Sequence, residues 1–156
     1  MNLCDSFFSP AAGLVEQVGR QVFAVLPEDG PIVIIMDHQG NFWPSDSESF
    51  AALNISHSFL QDICSRIDDG VEPVISAEAD CSIVAAELAT ERTNCGYVII
   101  VLPHYNPEST LANINLIEML LNQVVLIAGL TEKNNLLCEQ QAGRVSEYSH
   151  GSASIN

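Results

Sequence analysis

The residues best suited to covalent chemistry in this 156-residue chain are its five cysteines and four histidines. A cysteine becomes a nucleophile when a neighbouring base or positive charge holds it as thiolate. Cys81 and His104 are the pair that the spacing can bring together. They stand at the outer ends of two apolar runs, CSIVAAEL and YVIIVLP, which the polar ATERTNCG separates. If the runs pair evenly as an antiparallel hairpin, Cys81 lies near His104 and Glu87 near Tyr97 or Val98. A helix over Ser82 to Thr93 is the competing reading, since Ala, Glu and Leu favour helix. Against thiol chemistry stands the commoner role of free cysteine, a small and inert buried residue. Cys81 is therefore the candidate that the residues alone offer for a thiol activity.

Other chemistry is less well supplied. His38, His57, His104, Asp37 and Cys81 would form a metal site only if the fold gathered them, and no HExxH, EF-hand or HxH spacing is present. Asp68-Asp69 and Asp46/Glu48 read as turn and cap carboxylates. Neither GxGxxG nor GxxxxGK[ST] occurs, which argues against a nucleotide phosphate cradle. Twenty acidic residues against five basic ones give a net charge of -15. A chain so poor in cations cannot neutralise nucleic-acid phosphates, and an anionic bilayer surface would repel it. The odd cysteine count without a CxxC pair argues against a disulfide framework, so a reducing cytoplasm is expected. No uninterrupted apolar run reaches the length that a bilayer requires, and the first residues do not read as a signal peptide.

These groups need elements to hold them. Ser9 to Leu26 reads as a helix with Ser9 as cap, Pro10 at its first turn and Phe7 or Phe8 as a staple. Leu14, Val18, Val22 and Val25 give it one apolar face. PIVIIMD from Pro31 reads as a strand that turns at His38-Gln39-Gly40 into Asn41-Phe42-Trp43. Ser47 to Leu53 is a short helix. A second helix starts at Ser56 or Ser58 and runs to about Ile67, and Pro73 to Ser76 is a brief strand. After Tyr105-Asn106-Pro107 a long helix is expected over 108–140. Its apolar residues fall into two stripes: Ile114, Ile117, Leu121, Val124 and Ala128, and beside them Leu116, Leu120, Ile127 and Leu130. That arc is about twice what one covered face needs. One side can be covered by the sheet and the other by the N-terminal helix or by the same helix of a second subunit; the second is preferred, as a homodimer with Leu14, Val18 and the first stripe at its interface. Residues 142–156 read as a flexible polar tail.

This order of parts resembles the GAF domain family of small-molecule sensors, through GPIVIIMDHQGNFW as the opening hairpin and CSIVAAEL...NCGYVIIVLPHYNPES as the later one, followed by LANINLIEMLLNQVVLIAGL. The resemblance covers roughly Leu14 to Gln140. It implies an α+β, GAF/PAS-like three-layer domain over 1–141. A central antiparallel sheet of five or six strands would occupy 31–103. The N- and C-terminal helices would lie on one face, and a pocket on the other under Pro44 to Ala79. The residues expected to bind a ligand are Trp43, Phe59, Cys81, Glu87, Tyr97 and His104. The Asn-Lys-Phe-Asp-Glu signature of cyclic-nucleotide-binding members does not occur here. The resemblance implies a regulatory domain that binds an unidentified small molecule, dimerises and acts on a separate signalling partner. It names no cofactor, and it implies a protein that is not an enzyme, although one enzymatic branch of the family is a thiol-dependent reductase with cysteines around the pocket, for which Cys81 and Cys95 would be the candidates. The alternative is an interaction module whose pocket is filled with side chains. A cavity lined by Trp43, Phe59, Cys81 and His104 would favour the sensor.

Overall fold

The computed structural model describes residues 10–151 except Ala79. Cys4, Phe7, Phe8 and Ser9 lie outside the described residues. The chain is α+β. Its elements are α1 (Pro10–Phe23), β1 (Ile32–Met36), β2 (Phe42–Pro44), α2 (Ser47–Ala52), α3 (His57–Asp68), β3 (Val74–Glu78), β4 (Cys81–Ala89), β5 (Asn94–Pro103), α4 (Pro107–Ala112) and α5 (Ile114–Gly151). The strands form one five-stranded sheet in the order β2-β1-β5-β4-β3, with every neighbouring pair antiparallel.

The continuous apolar runs of β1, β4 and β5 are explained by a sheet covered on both faces. Side chains alternate along a strand, so each run splits into two sets. Val33, Ile35, Val84, Ala86, Leu88, Val98 and Ile100 join Leu14, Val15, Val18 and Val22 of α1 and Ile117, Leu121, Val124 and Ala128 of α5. Ile32, Ile34, Met36, Ile83, Ala85, Ile99 and Val101 join Phe50 of α2 and Leu60, Ile63, Cys64 and Ile67 of α3. The result is three layers, with α1 and α5 on one side and α2 and α3 on the other.

Local chemistry fixes the ends of these elements. Asp46 caps α2 by accepting from Ser49 N at 2.9 Å, and Ser56 caps α3 through Phe59 N at 3.2 Å. The β1–β2 turn closes on Asp37, whose carboxylate accepts from Gln39 N, Asn41 N and Asn41 Nδ2, each at 2.9 Å. Where β5 passes the end of β1, only glycine fits. Gly96 has a φ of +130°, and a Cβ there would lie 2.1 Å from the Met36 carbonyl oxygen.

The long C-terminal helix differs from expectation in two ways. It begins after a break at Asn113, whose side chain turns back to donate to Ser109 O at 2.8 Å, so the expected start at residue 108 falls in the separate α4. It then continues through residues 142–151, which were expected to be a flexible tail; residues 152–156 lie outside the described residues. Ala142 and Arg144 have good helix propensity, and propagation of an established helix adds a hydrogen bond with each residue. By length and composition, Ile114–Ser146 also meets the requirement for a membrane-crossing helix, contrary to the sequence reading. One face of that stretch is nevertheless buried against the sheet through Ile117, Leu121, Val124 and Ala128.

Candidate functional site

The six expected ligand-binding residues do not converge. Trp43 packs with the α1/α5 side, whereas Phe59, Cys81 and Tyr97 belong to the α2/α3 side, so the sheet itself separates them. On the second side the expected hairpin register holds: Glu87 pairs with Tyr97, and Cys81 with Pro103, next to His104. These two pairs stand at opposite ends of β4, about 20 Å apart at the rise of a strand. Between them the layer is closed. Leu60, Ile63 and Ile67 meet Ile34, Ile83, Ile99 and Val101, all of them buried. The expected pocket under residues 44–79 is thus corrected to a packed interior. Trp43 does line a groove of about 540 Å³, but its company there is Glu16, Asp37 and the β1–β2 turn.

At the Tyr97 end the side chains form a polar chain that the sequence did not reveal. Tyr97 donates to Asp68 at 2.8 Å, and its oxygen lies 3.2 Å from His38 Nδ1. His38 Nε2 lies 2.9 Å from Asn94 Oδ1, and Asn94 Nδ2 donates to Glu87 at 2.8 Å. His38 thus stands between two carboxylates, reaching Asp68 through Tyr97 and Glu87 through Asn94. Burial, then the hydrogen bond to Asp68, raises the Tyr97 phenol well above its ordinary range. A phenol held this firmly is a poor proton donor for catalysis. The chain ties the β1–β2 turn, the end of α3 and the start of β5 together.

At the other end, Cys81 and His104 share a shallow groove of about 360 Å³ with Asp80, Tyr105 and Asn106. Cys81 Sγ donates to the Glu78 carbonyl at 3.0 Å. Burial raises its thiol first, and the Glu78 carboxylate raises it further. Burial also pushes Cys64 and Cys95 up to about 11. These surroundings are the reverse of those that make a thiolate. Among the described residues, no group of three or more His, Cys, Asp or Glu side chains is placed to hold a metal ion.

The surface that lacks a structural role is on α5. The expected dimer residues Leu14, Val18, Ile117, Leu121, Val124 and Ala128 are buried in this chain's own core, and Ile114 is half-buried. That interface is corrected: one copy already uses it to hold α1, α5 and the sheet together. The second expected stripe is divided: Leu120 and Ile127 pack half-buried against the core, while Leu116 and Leu130 are exposed. Leu116, Met119, Leu126, Leu130 and Leu137 are 53–62% exposed, although each is a large apolar side chain. Beside them a groove of about 520 Å³ runs between α5 and the β4–β5 loop, floored by Leu126, Gly129 and Leu130 and edged by Arg92 and Lys133. Glu132 anchors the loop by accepting from Thr90 Oγ1 at 2.7 Å.

No family model matches this chain, and no curated protein sequence does. Among solved structures it is similar to the GAF domain/HD domain protein from Geobacter sulfurreducens, at 12% identity and a TM-score of 0.42, over 79% of this chain and 94% of that one. A likeness at that level carries no argument about family or function.

Proposed function

We propose that this chain is a non-catalytic interaction module, of the regulatory kind that its layout resembles, which assembles with a second copy of itself through the exposed stripe of α5. The observation that carries this reading is the row Leu116, Met119, Leu126, Leu130 and Leu137, each more than half exposed on one side of one helix. Contiguous apolar surface of this kind marks interaction sites. The packed α2/α3 layer favours the module over the small-molecule sensor, because a ligand there would have to displace Leu60 and Ile63 from full burial. Raised thiols speak against the reductase reading. Four free cysteines among the described residues support a reducing, cytoplasmic setting.

Size-exclusion chromatography with light scattering tests the reading. The wild-type chain at tens of micromolar is expected to elute as a dimer, and Leu130→Asp as a folded monomer. A wild-type monomer at that concentration would refute self-association.

A further inference from the structure

We infer that the two copies of α5 pair antiparallel, about a two-fold axis that crosses the helices between Leu126 and Leu130. The inference rests on the self-association proposed above and adds its geometry.

The exposed stripe repeats at the spacing of a coiled-coil seam. Leu116, Met119, Gln123, Leu126, Leu130, Lys133 and Leu137 follow one another at alternating steps of three and four. Two of the seven are polar, and they decide the orientation. In a parallel pair each residue meets its own copy, so Lys133 would face Lys133 inside the seam. In the antiparallel pair, Leu126 faces the other copy's Leu130, Met119 faces Leu137, and Gln123 faces Lys133. The central apolar side chains then meet apolar ones, the polar pair is a cation against an amide oxygen, and only the outermost Leu116 meets a polar residue, Gln140, at the end of the seam. A slip of one heptad spoils this match. In one direction it sets Lys133 against Leu116 and Gln123 against Leu126, and in the other it sets Lys133 against Leu130.

Charge and space agree with this pairing. The chain has a net charge of -15, yet the residues that flank the seam are Asn115, Leu120, Asn122, Ile127, Gly129, Asn134 and Leu136, with no carboxylate among them. Like-charge repulsion is thus kept off the seam. Gly129 lies at the centre, where a Cβ would meet nothing within 4 Å, so two helices can approach closely there. The groove beside Leu126 and Leu130 opens at the same level and gives the second helix a seat against the β4–β5 loop. The end of α5 from residue 137 onward, exposed in one copy, would lie along the first turns of the other copy's helix.

Spin-label distances distinguish the outcomes. Arg144 is exposed on α5, and a nitroxide on Arg144→Cys in a Cys4→Ser, Cys138→Ser background reports the helix orientation. In the antiparallel pair the two copies of residue 144 lie toward opposite ends of the paired helices, so the labels should be about 48 Å apart along the axis. About 37 or 58 Å would overturn the register, and less than about 25 Å would overturn the orientation, while self-association stood. Light scattering on the same labelled sample completes the test, since a monomer there would overturn both this inference and the reading beneath it.

Discussion

The two sides of α5 are similarly apolar and very differently covered. Ile117, Leu121, Val124 and Ala128 are no more than 6% exposed, against α1 and the sheet. Leu116, Met119, Leu126, Leu130 and Leu137 are on the same helix, and each is more than half exposed. Folding explains the first set completely and the second not at all. Helical periodicity alone treats the two alike. What separates them is the sheet, which has one α5-facing surface and is satisfied by one stripe. The exposed row is the surface that the proposed assembly would cover.

Four experiments break or sharpen that contrast. The largest effect is expected from placing a carboxylate on each side. Leu121→Asp buries an unpaired charge and should leave the chain unfolded, whereas Leu130→Asp should keep the fold and lose only the dimer. Circular dichroism melts beside light scattering would show this, and equal damage from both variants would erase the distinction between the two sides.

Next comes the packed layer beneath α3. Ile63 is fully buried against the sheet, so Ile63→Ala should cost about 2–5 kcal/mol in chemical denaturation. A loss below about 1 kcal/mol would mean that the layer already contains space, and the sensor reading would return.

A smaller effect comes from protons, and it reaches both layers. Cys95 lies on the α1/α5 side and Cys64 on the α2/α3 side, with both thiols pushed by burial from 9.0 up to about 11. The folded chain holds these protons more tightly than the unfolded chain does. Their stabilising contribution is therefore complete below about pH 9 and is lost as pH rises towards 11. Thermal midpoints should fall progressively over that window, and midpoints that stay level from pH 8 to 11 would contradict the burial. In the same samples at pH 8, a thiol reagent should modify exposed Cys138 well before either buried thiol.

The smallest effect is at the seam. Gln123→Glu should tighten the dimer a few-fold at low salt through the facing Lys133, with the gain fading as salt is added. Sedimentation equilibrium would measure it. Weaker association at low salt would instead indicate a parallel pair, in which the introduced carboxylate meets its own copy.

Much of the fold was legible in the sequence for identifiable reasons. The runs at Ile32–Met36, Cys81–Ala89 and Asn94–Pro103 are apolar at consecutive positions because both faces of the sheet are covered. The polar ATERTNCG between the last two runs set their register well enough to place Glu87 beside Tyr97. The expected site was less legible. β2 is only three residues long, so nothing in its pattern told that Trp43 points to the α1/α5 side while Phe42 packs on the other. The chain Asp68–Tyr97–His38–Asn94–Glu87 draws on four separate segments, and only the tertiary fold brings them together. The buried stripe of α5 was legible, but the exposed row was only half so: Leu116 and Leu130 of the second expected stripe belong to it, whereas Leu120 and Ile127 pack half-buried against the core and Met119, Leu126 and Leu137 complete the row instead.

Native mass spectrometry of freshly purified protein, followed by denaturation of the same sample, tests the central claim most directly. The account expects twice the chain mass of 16.9 kDa with no additional mass, splitting on denaturation into bare single chains. A monomer would contradict assembly through α5. A reproducible small-molecule adduct released on denaturation would contradict the packed interior and restore a ligand-binding sensor.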